Sequence, residues 1–435
     1  MAQTTTTQLG PTAIAHPAGV ERLPDSAPQL HHFEQKSESL HEDLTFPDLP
    51  PFPDDVPTAP LLRLNLQRLL DHDAEEEDKL WRACRDLGFF YLDLRAATPS
   101  SASTPFLKRD SPHDDDNPGQ DGEINGPGLL QDADALFPLG EHVFALPPEE
   151  KQSYDFKDQG SYFGYKGLGA GVIDSQGTKD RNEFYNVSKD DVLGLSTTPP
   201  LPAPAVLRRE ASRALLARFM RRSHAVVALV LRLLSGRLGL VGKGEAEGGR
   251  LESLHRLRGR SGDQVRWVRA PPRKMDEEAM ALGEHTDFGS VTVLFNRLGG
   301  LQILPPGASG PEGWCYVRPL RGHCVVNLGD AMVKFTAGVL RSNLHRVVSP
   351  PGEQEGETRM SLVYFARPED EVMLRALEGS RMIDEKKRAQ EEEGHQEEEI
   401  SAKDWILRRA LGRRVGGDYA KSGGTEAGRS QQFAA

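Results

Sequence analysis

The chain has 435 residues, 37% of them hydrophobic and 27% charged, with 65 acidic against 53 basic side chains and a formal net charge of −12. That balance argues against nucleic acid as a partner, because phosphate binding requires a basic surface. The hydrophobic share is low for a compact globule, and reads as one ordinary core diluted by polar tails and loops. Residues 1–55, rich in Thr, Gln, Pro and acidic side chains, carry no periodicity and read as a disordered or wrapped tail. Leu61-Leu-Arg-Leu-Asn-Leu66 alternates as a strand does. Leu80, Trp81, Cys84 and Leu87 then follow helical spacing, and Gly88 ends that helix before the strand-like Phe89-Phe-Tyr-Leu92. Residues 96–127 are a Ser/Pro/Asp/Gly insertion of low complexity, expected to be solvated. Two helices are predicted around 129–145 and 205–238, the second apolar enough between Val226 and Leu234 to be buried against a sheet.

Between those helices lies Gly160-Ser-Tyr-Phe-Gly-Tyr-Lys-Gly-Leu-Gly-Ala-Gly171. Its glycines invite a phosphate-loop reading, but no Lys-Ser/Thr follows and no clean strand precedes. It reads instead as a flexible segment near the mouth of a site, where Tyr162, Phe163 and Tyr165 either touch an organic substrate or simply pack. From Val265 to Phe365 the chain is a succession of short strands punctuated by Gly, Pro and Asn, the pattern of an all-β barrel or jelly roll. Beyond 380 it turns helical and charged. Glu391-Glu-Glu393 and Glu397-Glu-Glu399 read as a solvated face, and Ser401-Ala-Lys-Asp-Trp405-Ile-Leu as a short capped helix that docks its Trp. The last twenty residues read as disordered.

The chemistry concentrates in three places. Gly283-Glu-His-Thr-Asp-Phe-Gly-Ser290 contains His-x-Asp, Asn343-Leu-His-Arg-Val347 supplies a distant His, and Arg359-Met-Ser361 follows. Residues i and i+2 of a strand share a side, so His285 and Asp287 can reach one ion while Thr286 points away. His345 must then come from a strand returning antiparallel alongside. Two imidazoles and a carboxylate on one face of a six-coordinate metal leave positions open, which is the ligand set of non-haem Fe(II) oxygenases. Arg359 and Ser361 also share a face, and a guanidinium with a hydroxyl suits a single carboxylate. A bare His-x-Asp or Arg-x-Ser is weak; the ordered combination on predicted strands is specific. His224, His255 and His323 lack ligand-like spacing and read as structural, and Asn327 and Asp330 fit a turn as well as they fit a catalytic role.

These motifs, with Gly299-Gly-Leu-Gln-Ile303, Trp314-Cys-Tyr-Val317, Val325-Val-Asn-Leu-Gly-Asp330 and the weaker Ala83-Cys-Arg-Asp-Leu-Gly-Phe-Phe90, resemble the Fe(II)/2-oxoglutarate-dependent dioxygenases, in the fungal branch related to isopenicillin N synthase. The resemblance spans roughly residues 60–95 and 128–368. It implies a mainly β fold with flanking helices around a distorted double-stranded β-helix (jelly roll), and makes His285, Asp287 and His345 the Fe(II) ligands. Arg359 would pair with the distal carboxylate of the co-substrate 2-oxoglutarate, with Ser361 as its hydroxyl partner. In one respect the chain departs from the family: Val265-Arg-Trp-Val-Arg-Ala-Pro-Pro272 has no Tyr before Pro271, where many relatives carry one that helps hold the co-substrate.

The expected organisation is a tail (1–55), an N-terminal α/β region (56–255) with its insertion at 96–127, the dioxygenase core (256–370) and a charged helical tail (371–435). The expected activity is oxidation of an organic small molecule by hydroxylation, desaturation or ring closure, using O₂ and decarboxylating 2-oxoglutarate to succinate. No protein acid or base beyond the metal ligands is required. The alternatives are an Fe(II) oxidase of the same fold that uses no oxo-acid, a zinc hydrolase, which leaves Arg359 and Ser361 without a purpose, and a non-catalytic binding protein that keeps the site. No membrane partner is expected, since no apolar run reaches spanning length. The first residues also lack the basic and apolar regions of a secretion signal. Cys84, Cys315 and Cys324 are odd in number and unpaired in spacing, so reduced thiols in the cytoplasm are expected. Substrate identity and oligomeric state leave no trace in the sequence.

Overall fold

Alternating side chains between Gln264 and Ala366 become the walls of two sheets. The computed structural model describes Met1 and residues 44–96, 124–240, 249–272, 280–396 and 398–417. Most of the expected N-terminal tail, most of the 96–127 insertion, Glu397 and the end of the C-terminal tail lie outside the described residues. Among those described, twelve strands run in chain order: β1 (Leu62–Asn65), β2 (Phe89–Asp93), β3 (Gly164–Lys166), β4 (Glu183–Ser188), β5 (Gln264–Ala270), β6 (Met280–His285), β7 (Val291–Asn296), β8 (Leu301–Ile303), β9 (Cys315–Tyr316), β10 (His323–Leu328), β11 (His345–Val348) and β12 (Arg359–Ala366). The major sheet has the order β1-β2-β10-β7-β12-β5-β4-β3, and the minor sheet β6-β11-β8-β9. Its pairings are antiparallel except for β1 with β2, which run parallel at one edge.

Each central strand of the major sheet serves two environments, because successive side chains point to opposite faces. Val265 and Trp267 of β5, Val291, Val293 and Phe295 of β7, Cys324, Val326 and Leu328 of β10, and Leu362 and Tyr364 of β12 join the larger hydrophobic core. That core also takes Leu136, Phe137 and Val143 of the helix Gly126–Phe144, and Phe219, Val227 and Leu231 of the helix Glu210–Leu238. The intervening residues Leu294, Val325 and Val363 face the other way and pack with Leu301 and Ile303 of the minor sheet. Two sheets face to face with helices over one outer surface make the expected jelly roll with flanking helices.

The local expectations for residues 61–95 hold closely. The helix Ala74–Arg82 continues as a π-helical turn, Ala83–Leu87, and stops at Gly88 with φ +74°, a left-handed conformation that glycine adopts without steric cost. A side chain there would also collide with the Arg341 carbonyl. The predicted 205–238 helix is interrupted. Arg209 is extended (ψ 140°), so Ala205–Arg208 forms a separate turn that seats Leu207 in the core. Residues 44–57 wrap on the core through Arg321 N–H to the Leu44 carbonyl, Gln354 Nε2 to the Pro50 carbonyl and Tyr316 N–H to the Pro57 carbonyl, each 2.8 Å. Cys84, Cys315 and Cys324 are all free thiols. No helix among the described residues is long and apolar enough to cross a membrane.

The seam between the 126–144 helix and the sheet is set by Trp267. Fully buried, its indole donates from Nε1 to the Leu136 carbonyl at 2.9 Å, and the ring lies directly against the Cα of Gly140. A side chain at 140 has no room, and the indole cannot retreat without losing its hydrogen bond. Gly140→Val should therefore destabilise the protein by about 1–3 kcal/mol through overpacking. The check is a urea titration, where the midpoint should fall while the slope stays unchanged.

Candidate metal centre and its cavity

His285 ends β6 and His345 begins β11, and the two are direct register partners across the antiparallel pair. Their rings sit 4.2 Å apart, centroid to centroid, with Phe89 edge-on to His345 at 5.4 Å. Asp287 completes the group: one ligand-capable atom from each of the three lies within 4.8 Å of the others. The strand stops at His285, so Asp287 is not held by the i, i+2 alternation that the sequence suggested. It sits in the turn between β6 and β7, where its carbonyl accepts the Asp330 N–H at 2.8 Å.

The surroundings prepare these three side chains for a cation. His285 Nδ1 lies 2.8 Å from the Gly283 carbonyl and His345 Nδ1 lies 3.1 Å from that of Asn343. A carbonyl only accepts, so each Nδ1 carries the proton and each Nε2 lone pair is left free, the usual arrangement behind a metal-binding imidazole. Burial first, and His345 second, hold His285 well below the ordinary imidazole range, which keeps it neutral at neutral pH. Asp287 Oδ2 accepts hydrogen bonds from Thr292 Oγ1 (2.6 Å) and Asn327 Nδ2 (2.7 Å). Its Oδ1 remains open, 3.8 Å from His345 Nε2. Two imidazoles and one carboxylate oxygen grouped within 4.8 Å fit an Fe(II)-sized ion.

The three open onto a cavity of about 170 Å³ between the sheets. Arg359, Ser361, Val363 and Phe365, the inward positions of β12, line one wall with Arg266 and Val268 of β5. Arg359 is 3% exposed; its Nε donates to the Gly299 carbonyl at 2.7 Å and its Nη1 lies 3.5 Å from Ser361 Oγ. Burial lowers its guanidinium to about 10, still fully charged at neutral pH. Ala270, the residue before Pro271, is the register partner of Arg359 and also lines the cavity, so the absent Tyr leaves open space beside the guanidinium.

Several supporting contacts were not legible in the sequence. Asn327 lies on β10, not in a turn, with its amide on the Asp287 carboxylate. Asp330 is fully buried and accepts from Thr286 Oγ1 (2.9 Å) and from Arg409 Nη1 (2.8 Å). Arg409 comes from the helix Ala402–Gly412, capped by Ser401. Trp405 of that helix donates to the Phe288 carbonyl at 3.1 Å, and Ala410, Leu411, Arg413 and Arg414 close one side of the cavity. The signal for Arg409 was its place on the apolar stripe of Ala402, Trp405 and Ile406. For Asn327 it was a polar residue at an inward strand position.

The glycine-rich segment divides. Tyr162 and Lys166 line the cavity, Tyr165 is buried with its hydroxyl on Glu183 (2.5 Å), and Phe163 stacks on Tyr162 at 4.5 Å. Gly164–Lys166 pairs with β4 as an edge strand. His224, His255 and His323 serve structural roles. His255 bridges the Leu251 carbonyl and Ser290 Oγ, both at 2.6 Å, and burial lowers it to about 4. His224 meets the His255 carbonyl at 2.7 Å. His323 lies between Arg63 and Asp93.

Comparison with known proteins agrees with this geometry. Residues 261–368 match the model of the 2OG-Fe(II) oxygenase superfamily. The chain is 32% identical over 324 residues to the 2-oxoglutarate-dependent dioxygenase frbH of Dothideomycetidae sp. (strain 11243), covering 74% of this chain and 87% of that one. It is 30% identical to the 2-oxoglutarate-dependent dioxygenase gloE of Glarea lozoyensis, covering 74% and 83%. The crystal structure of full-length Neurospora crassa T7H in complex with alpha-KG superposes with a TM-score of 0.60 at 19% identity, over 80% of this chain and 95% of that one, a likeness of fold.

The Arg409–Asp330 pair has no exposure on either side. Removing one partner of such a pair leaves an uncompensated buried charge, at a cost of about 3–5 kcal/mol. Arg409→Met should lose stability on that scale, and the double variant Arg409→Met/Asp330→Asn should recover much of it. A double-mutant cycle by chemical denaturation measures the coupling.

Proposed function

The chain belongs to the 2OG-Fe(II) oxygenase superfamily, and we propose that within it His285, Asp287 and His345 hold the ferrous ion while Arg359 and Ser361 receive the distal carboxylate of 2-oxoglutarate. The protein is an Fe(II)/2-oxoglutarate-dependent dioxygenase, an oxidoreductase acting on a small organic molecule. When bound, iron, 2-oxoglutarate and O₂ supply the oxidation, with decarboxylation of the oxo-acid to succinate.

The observation that carries the residue assignment is the pair of preset imidazoles. Both Nδ1 atoms are committed to carbonyls and both Nε2 lone pairs are left beside the free oxygen of Asp287. Thr292 and Asn327 hold that carboxylate, so neither it nor the rings must reorganise when a cation enters. Arg359 makes no ion pair with a protein carboxylate among the described residues; its contacts are a carbonyl and a hydroxyl. That favours an oxo-acid over the co-substrate-free oxidase, for which a buried unpaired guanidinium would be a pure cost. The sheets and the C-terminal helix exclude bulk water, and the inward residues of β5 and β12 place the substrate. The net charge of −12 and the free thiols Cys84, Cys315 and Cys324 support a cytoplasmic enzyme that does not engage nucleic acid.

His285→Ala, Asp287→Ala or His345→Ala should each abolish succinate formation with saturating Fe(II), while circular dichroism shows a folded chain. Near-normal turnover in any of the three would remove that residue from the metal. The co-substrate is tested separately, by titrating anaerobic Fe(II) enzyme with 2-oxoglutarate. Arg359→Ala should weaken binding by about 2–5 kcal/mol, roughly thirty- to several-thousand-fold. Arg359→Lys should restore part of the affinity, since it keeps the charge but not the fork. Ser361→Ala removes a neutral hydrogen bond worth about 1 kcal/mol. Equal affinities across the set would make the oxo-acid-independent oxidase the better reading.

A further inference from the structure

The cavity holds a second guanidinium that forms no ion pair among the described residues, although the Asp287 charge favours it from a distance. Arg266, at an inward position of β5, donates from Nε to Asn186 Oδ1 at 2.6 Å. Its planar group is clamped between two aromatic faces, 4.2 Å from the Phe184 centroid and 4.9 Å from that of Phe365. Among the described residues it forms no ion pair. The neighbouring cations are engaged: Lys166 with Asp180 and Asn182, Arg367 with the Gly262 carbonyl, Arg414 with Asp155. Burial and then Arg367 pull Arg266 down to about 9, so it stays charged at neutral pH in a place that disfavours charge. Aromatic faces offset part of that cost; an anion offsets more.

A distal carboxylate held at Arg359 lies at a different level of the sheet from Arg266. Along the β5–β12 pairing, Arg266 is opposite Val363 and Arg359 is opposite Ala270. Four residues of strand set the two backbone levels about 13 Å apart, so the two guanidinium groups enter the cavity from different heights. Phe184 and Phe365 lie over the Arg266 guanidinium, and Val268 and Leu294 add apolar wall beside the polar Tyr162 and Arg367. We propose that the primary substrate is an organic carboxylate with a flat apolar body, and that Arg266 selects it by taking the carboxylate in its fork while the body lies along those walls. The fork matches a carboxylate bidentately and leaves an uncharged amide or alcohol without charge compensation. This deepens the preceding reading and rests on Arg359 being the co-substrate anchor.

The test uses enzyme loaded with Mn(II) and saturated with 2-oxoglutarate, titrated calorimetrically with phenylacetate, cinnamate and indole-3-acetate and with the matching carboxamides. The wild type should bind at least one acid about tenfold or more tightly than its amide, the scale of one charge-assisted contact. Arg266→Gln should erase that preference, Arg266→Lys should keep part of it, and both should leave 2-oxoglutarate affinity unchanged. Equal binding of acids and amides to the wild type, or no binding of any acid at millimolar concentration, overturns the proposal without needing a variant. So does an Arg266→Gln loss of 2-oxoglutarate affinity as large as that of Arg359→Ala, which would make Arg266 a co-substrate contact. Failure of the wild type to bind 2-oxoglutarate at all would instead strike the reading of Arg359, and the co-substrate titration reports that on its own.

Discussion

A β-strand presents alternate side chains to opposite faces, and three central strands of this protein spend that property on two unrelated tasks. On β12, Leu362 and Tyr364 belong to the helix-covered core, while Arg359, Ser361, Val363 and Phe365 line the cavity. On β5, Trp267 anchors the Gly126–Phe144 helix, and its neighbours Arg266 and Val268 face the cavity. On β10, Val326 and Leu328 fix the sheet, while Asn327 holds the Asp287 carboxylate. Because the period is two, packing on one face sets the register of chemistry on the other. A one-residue slip in β12 would bury Met360 and Leu362 in the cavity and aim Arg359 at the helices.

This explains which parts could be read from the chain alone. Strands between Val265 and Phe365, the Gly88 helix stop and the docking of Trp405 are encoded within windows of a few residues. The grouping of His285, Asp287 and His345 was legible because their order and spacing already imply an antiparallel return. What escaped depends on distant contacts. Asp287 is placed by Thr292, Asn327 and the backbone of Asp330, not by strand alternation, and Asn327 is forty positions away. Arg409 reaches Asp330 across 79 positions and looks, in sequence, like one more charge in a charged tail. The aromatics of the 160–171 segment divide between cavity and core because Gly164 and Tyr165 pair with β4 while Tyr162 precedes the pairing.

Charge is distributed against the average. The chain carries a net −12, yet Lys166, Arg266, Arg359, Arg367, Arg413 and Arg414 surround a cavity whose acids are Asp180 and Asp287. An acidic exterior repels small anions at long range, over about a Debye length, whereas the low-dielectric interior strengthens attraction once an anion has entered. Affinity for anionic ligands therefore arises inside the cavity rather than in the approach to it.

The Arg409–Asp330 contact also imposes an order in time. A ribosome delivers His285, Asp287 and His345 before it delivers Arg409, because synthesis runs from N- to C-terminus. During that interval Asp330, whose backbone N–H and carboxylate brace the turn that carries Asp287, lacks its buried counter-charge. The helix Ala402–Gly412 is also missing from the side of the cavity it will close. Until that helix is made, the turn that carries Asp287 lacks one of its braces and the cavity lacks one of its walls, so the surroundings of His285, Asp287 and His345 are completed only late in translation.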